Sequence, residues 1–311
     1  MIFRLRWHLL LLVLLFNLAG CAGMFQRTAQ LALNAERERA GLERKEIDLP
    51  HGLHYVYLEG GQGEPLMLLH GFGGNKDNFV RVARALTPHY RVIIPDHIGF
   101  GESAHPPQAD YTPAAQVANL RELARALGVT RLHLGGNSMG GQIALAYAAL
   151  HPDEVASLWL IDAAGVWSGP KSELAETILG GGRNRLIVRN EDQFADLFSF
   201  AMSDPPFVPR PFLNVLAQER IRNADLEERI FQQIAGTSVE QQIKGLRIPS
   251  LVVWGAEDRV IHPGTAEVMH TLLPHSEVIV MPGTGHMPML EKPQQSAQDY
   301  LRFRASLAGN Q

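Results

Sequence analysis

From about Lys45 onward, short apolar runs alternate with amphipathic stretches. Glu46–Leu49 and Leu53–Leu58 read as a hairpin around Pro50-His51-Gly52, and Leu66–Leu69 as a buried strand. A Gly-rich turn leads into a helix from about Asn78 to Leu86, and Arg91–Pro95 is the next strand. A helix follows from Pro113, a favourable first-turn residue, to Leu127, with Gly128 as its stop. Leu132–Gly135 is a strand, Gly140 to Leu150 a helix and Val155–Ile161 another strand. This order predicts an α/β fold: a mostly parallel sheet with helices on both faces.

The pattern breaks from Val166 to about Leu246, where only helical pieces and the turn Asp204-Pro205-Pro206-Phe207-Val208-Pro209 are legible. Regularity resumes with the strand Ile248–Trp254, a helix near Pro263–Leu273, the strand Glu277–Met281 and a last helix from Gln294. The expected organisation is a core of residues 46–165 and 247–311, with a helical cap, 166–246, inserted late in the sheet. The cap's apolar residues Phe194, Leu197, Phe198, Phe200, Met202, Phe207 and Phe212 are candidates for an acyl pocket, or else plain core.

The N-terminus reads as an address. Arg4 and Arg6 precede an uninterrupted apolar run, Leu9 to Phe16, and then Leu18-Ala19-Gly20-Cys21. A basic region, a short apolar region and a small-residue site make an export signal over residues 1–20. The last four residues resemble the lipobox of bacterial lipoproteins, which implies lipidation of Cys21. An uncleaved anchor is the competing reading, because Leu9–Phe25 approaches the about 17–25 residues that span a bilayer. Either way the catalytic domain is expected on a membrane of the bacterial cell envelope, outside the cytoplasm. Residues 21–45, rich in Ala, Leu, Glu and Arg, read as a helical spacer.

Composition narrows the classes. The 311 residues are 46% hydrophobic and 19% charged, enough apolar surface for a folded core. A net charge of −4 without a basic stripe argues against nucleic acid as a partner. The single cysteine excludes an intrachain disulfide and a cysteine metal cluster.

The chemistry centres on Gly136-Asn137-Ser138-Met139-Gly140, a G-x-S-x-G placed where a strand meets a helix. A nucleophile elbow needs that context: the turn is so tight that the flanking positions must be nearly side-chain-free. A serine hydroxyl needs a base and the base an orienting acid. His286 follows the last strand, and Asp258 the strand before it, in the chain order Ser, Asp, His. His286 would take the serine proton, and Asp258 would hold its tautomer. Asp162, after Val155–Ile161, is the alternative acid. His70-Gly71-Phe72-Gly73-Gly74 after the first buried strand supplies an oxyanion hole, with the backbone amides of Phe72 and Met139 as donors.

These motifs, in this order, resemble the α/β-hydrolase superfamily over roughly residues 46–308. Asp96-His97-Ile98-Gly99-Phe100-Gly101-Glu102-Ser103 looks like its structural D-x-x-G-x-G-x-S turn. His70 to Phe79, with Gly136-Asn137-Ser138-Met139-Gly140-Gly141, is similar to the bacterial family V lipases, which include membrane-anchored phospholipases. By position Ser138, Asp258 and His286 match that family's triad; Cys21 departs from relatives that keep an N-terminal helix. The resemblance implies a membrane-tethered esterase acting on a lipid or other ester, with no metal or organic cofactor. Two alternatives stay open: a carbon–carbon bond hydrolase of ring-cleavage products, and a non-catalytic lipoprotein on the same scaffold.

Overall fold

The computed structural model describes residues 23–309. Cys21 and the signal or anchor segment before it lie outside the described residues. Helix α1 covers 23–39; its Phe25 ring meets the Phe212 ring edge-on at 5.6 Å, and Arg37 forks onto both oxygens of Asp77 at 2.7 Å.

The helical spacer expected through residue 45 is shorter than that. The chain turns at Gly41, whose φ is +66°, and Leu42–Leu49 is already strand β1, paired antiparallel with β2, Leu53–Gly60. Leu42 to Lys45 pair with Gly60 to Tyr57. Ladder pairing overrides the helix propensity of Leu-Glu-Arg-Lys, since a strand position is decided by its neighbours more than by its residue types.

The remaining strands are β3 (Glu64–Leu69), β4 (Tyr90–Pro95), β5 (Leu132–Asn137), β6 (Val155–Ile161), β7 (Ser250–Gly255) and β8 (Ser276–Met281). They form one sheet in the order β1-β2-β4-β3-β5-β6-β7-β8, parallel from β4 to β8. Alternation along each strand divides the core. Met67, Leu69, Leu160 and Val252 pack with helices α3 (Pro113–Ala126) and α4 (Met139–Leu150), whereas Leu66, Leu68, Ile161 and Val253 pack with α2 (Val80–Leu86). Both faces are therefore buried, which is why these strands read as unbroken apolar runs.

Between β6 and β7 lie helices α5 (Glu173–Leu179), α6 (Glu191–Ala201), α7 (Arg210–Arg222), α8 (Ala224–Ala235) and α9 (Glu240–Ile243). Helix α10 (Thr265–Leu272) joins β7 to β8. The short α11 (Pro288–Glu291) and the long α12 (Pro293–Gly309) follow, with Tyr300 and Phe303 of α12 in the same layer as α2.

Chain order reverses at β3 and β5. From β3 the chain runs out to β4, and it re-enters on the other side at β5, so the loops leaving β3 and β5 open side by side. Such a switch point, at the carboxyl ends of parallel strands, is where α/β sheets hold ligands.

Candidate active site

Ser138 stands between β5 and α4 with φ +53° and ψ −117°, a backbone conformation L-residues rarely adopt. Such a residue costs about 1–3 kcal/mol and persists only where its surroundings hold it. Here its N–H donates to Ile161 O at 3.0 Å, and its carbonyl accepts from Gln142 N and Ala164 N at 3.1 and 2.9 Å. A Cβ at Gly136 would stand 2.3 Å from Gly140 C, and one at Gly140 would stand 2.1 Å from Leu69 O. The two flanking glycines are therefore a packing requirement of the β3–β5–α4 junction. Met139 opens α4, so its amide lacks a partner one turn back.

The structure brings His286 to Asp258. Nδ1 of His286 donates to Asp258 Oδ2 at 2.8 Å, while Oδ1 accepts from Val260 N and Ile261 N at 2.7 and 3.1 Å. Asp258 thus accepts from the imidazole and from two backbone amides, and the histidine proton sits on Nδ1, leaving Nε2 as the basic nitrogen. The Asn137 amide, one residue before Ser138, donates to Ile161 O and to His286 O at 3.1 and 3.0 Å, tying the elbow to the histidine loop. A hydrogen bond between Ser138 Oγ and His286 is not among those the described residues form. In ligand-free sites this contact is often long and tightens around substrate.

Asp162, the alternative acid, lies close to His286, but the imidazole hydrogen bond goes to Asp258. Asp162 leaves β6 with φ +46°, accepts from Gly255 N through Oδ1 at 2.9 Å, and keeps Oδ2 without a partner in a fully buried position. One ligand atom from each of Asp162, Asp258 and His286 lies within 4.8 Å of the others. Burial first, and then the charge of Asp258, push the Asp162 carboxyl well above the usual carboxylate range. Two neighbouring buried carboxyls do not both ionise at low cost. The imidazole contact goes to Asp258.

The loop after β3 lies against this pair, because Leu69 is in parallel register with Gly136. His70 Nε2 accepts from His97 N at 3.1 Å, so its proton is on Nδ1, which donates to Gly71 O at 2.8 Å. Burial pushes the His70 pKa down, keeping the ring neutral in this role. Phe72 meets Phe100 and Phe231 edge-on, each at 5.6 Å. Lys76, in the segment after β3, is buried between Asp96 at 2.8 Å and Glu102 at 2.6 Å of the Asp96 turn. These contacts make the turn a structural support for the loop.

Phe72, Ser138 and Met139 line one cavity of about 410 Å³. Its apolar wall comes from Leu174, Ile178 and Leu186 of the inserted segment, Phe231 and Ile234 of α8, and Val260. The candidate acyl-pocket residues of the sequence do not line it. Leu197 and Phe200 form a small core with Leu174 and Val260 behind the wall, Phe207 is 93% exposed, and Phe212 rests on Phe25. The apolar stripe of α6 faces that local core, so helical periodicity found its buried side but not the cavity. A larger open groove of about 590 Å³, between α2 and the 204–207 turn, is lined by none of Ser138, Asp258, His286, Phe72 and Met139.

Three residues of the site carried no signal in the sequence. Glu291 of α11 accepts from the amides of Ser203, Asp204, Gly285 and Met287 at 2.8 to 3.2 Å, bracing the His286 loop. Arg220 and Glu227 form a buried pair beside the β3 loop. A lone acid on a short helix and an ion pair between two helices have no local pattern to read.

The fold and this site define the class: the chain belongs to the α/β-hydrolase fold family, whose pattern matches residues 64–293, and it is an esterase-type enzyme. Among its relatives are Lipase 1 of Psychrobacter immobilis, 43% identical over 94% of each chain, and Lipase 3 of Moraxella sp. (strain TA144), 44% identical over 90% of each. A crystal structure of a membrane phospholipase A, described as a bacterial virulence factor, superposes with a TM-score of 0.87 at 39% identity. That superposition covers 96% of this chain and 98% of the other.

Proposed function

We propose that the chain hydrolyses carboxylic esters of lipids, as a lipase, phospholipase A or lysophospholipase, through an acyl-enzyme on Ser138. The observation that carries this reading is the apolar cavity of about 410 Å³ with Ser138 and the two candidate oxyanion amides in its wall. Such a cavity takes an acyl chain and presents its carbonyl to the hydroxyl. The lipase and phospholipase relatives support the same substrate class.

In the proposed cycle His286 Nε2 removes the proton from Ser138 Oγ, which attacks the ester carbonyl. The oxyanion is held by the amides of Phe72 and Met139, donors already in place before the charge develops. Asp258 stabilises the imidazolium, which then protonates the departing alcohol. Water repeats the sequence on the acyl-enzyme. The helices α5–α9 act as the cap that builds the pocket. The segment before residue 23 tethers the enzyme to a membrane of the cell envelope, by lipidation at Cys21 or as a signal anchor. Among the described residues no helix is long and apolar enough to cross a membrane.

The test is a panel of p-nitrophenyl esters, triglycerides and phospholipids, with and without detergent, on the parent and Ser138→Ala. Loss of turnover in the variant and activity on long-chain esters are expected; a Ser138→Ala protein as active as the parent ends the proposal. Hydrolysis of a coloured ring-cleavage dienoate, but of no ester, would move the assignment to carbon–carbon bond cleavage. For the tether, blocking lipoprotein signal peptidase should leave a heavier precursor, and an unchanged mass favours the anchor.

A further inference from the structure

Arg220 belongs to α7, yet its guanidinium lies against the loop that carries Phe72. A Cβ built on Gly73 would stand 2.0 Å from Arg220 Cζ and 2.3 Å from both terminal nitrogens, so the planar group covers the Gly73 backbone face. Gly73 itself has φ +64°. The Phe72 ring centroid is 5.7 Å from Cζ. On its other side Arg220 is held in place: Nε donates to both Glu227 oxygens at 2.8 and 2.9 Å, and Nη2 donates to Leu186 O at 2.5 Å. Both partners are buried, at 7% and 2% exposure. Burial raises the Glu227 pKa, and the charge and hydrogen bond of Arg220 oppose that rise.

A buried ion pair is a poor source of stability, because desolvation consumes most of the Coulombic gain. A pair of apolar side chains would join α7 to α8 as well. What they could not supply is a flat, hydrogen-bonding plate that lies on a glycine while its donors reach α8 and the chain at Leu186. Those two segments also contribute Phe231 and Leu186 to the wall of the cavity.

We propose that Arg220, locked by Glu227 and the Leu186 carbonyl, is a positioning residue that holds the Phe72 amide in the oxyanion hole. Seating of the inserted helices and assembly of the hole are then one event. The proposal rests on Phe72 as an oxyanion donor, as set out above. Arg220 touches no reacting atom; it acts through the Gly73 and Phe72 backbone.

The experiment compares the full-length enzyme with Arg220→Met/Glu227→Gln, which removes the pair without stranding a buried charge, with Arg220→Lys, and with Glu227→Gln. Turnover of a soluble short-chain ester is normalised to active sites titrated with a covalent phosphonate, so misfolded protein does not count. The double variant should lose about 10–10²-fold in kcat, less than the about 10²–10³-fold for outright loss of a donor. KM should stay within about twofold, as expected when an interaction is realised only in the transition state. Affinity for a trifluoromethyl ketone, whose adduct places its oxygen in the hole, should weaken in parallel. Arg220→Lys should recover part of the loss, and Glu227→Gln should lose less than the double variant. Unchanged kcat per titrated site, or unchanged ketone affinity, in the phosphonate-labelled double variant overturns the proposal. Failure of the parent to be labelled at Ser138 would instead refute the serine-esterase reading beneath it.

Discussion

At Ser138 the backbone is bent into φ +53°, and the neighbours that tolerate it are glycines with no room for a methyl group. Gly140→Ala would press a Cβ onto the Leu69 carbonyl, and overpacking of this kind costs about 1–3 kcal/mol. Urea unfolding should show that loss, together with reduced activity, because relief of the clash moves β3 away from the elbow. The two candidate acids are separated by their contacts. Asp258→Asn keeps the shape but favours the wrong imidazole tautomer, and a loss of about 10³–10⁴-fold in kcat is expected. Asp162→Asn should retain most of the activity, since an amide oxygen still accepts from Gly255 N and no imidazole bond is lost. Steady-state kinetics of the two variants decide the matter, and the reverse ranking would make Asp162 the orienting acid.

Elements set the distances between these residues. Ser138, Asp258 and His286 come from the carboxyl ends of β5, β7 and β8, and the His286 loop is braced by α11 through Glu291. Replacing Glu291 with alanine strands several amides of buried or half-buried backbone, and each unsatisfied group costs about 1–3 kcal/mol. Thermal unfolding at lower temperature and a fall in kcat are expected; an unaltered enzyme would show that the loop is held elsewhere. The strands and the main helices were legible because both sheet faces are apolar and helices punctuate them. The boundary at Leu42 was not, since Leu-Glu-Arg-Lys suits a helix and only pairing with Tyr57–Gly60 makes it strand. The pocket wall was not legible either. Leu174, Ile178 and Phe231 meet over Ser138 through packing between α5 and α8, whereas the aromatic-rich α6 that stood out in the sequence faces its own small core.

For the whole molecule, pH dependence follows from carboxylates that the fold holds ionised. Burial raises the Glu102 pKa, but hydrogen bonds from Arg44 and Lys76 and their charges outweigh it and hold the group at about 2. A lowered folded pKa contributes stability that is present above the unfolded value of about 4.5 and is lost as pH falls toward 2. Glu154, bonded by Arg121 and Tyr147, is also held at about 2 and adds in the same sense. The melting temperature should therefore fall across that window, and Glu102→Gln should make the fall shallower. A slope identical to the parent's would show that solvent screens the Glu102 pairs.

By itself the chain order determined the α/β class and singled out the candidate nucleophile Ser138, the candidate base His286 and the loop at Phe72. Each lies in a short segment whose local pattern and place after a strand are set by the backbone. Only the tertiary structure decided which carboxylate meets His286, which side chains wall the cavity, and that Arg220 lies on Gly73. Those contacts join segments far apart in sequence, and they exist only once burial and parallel register bring the ends of β3, β5, β7 and β8 to one edge.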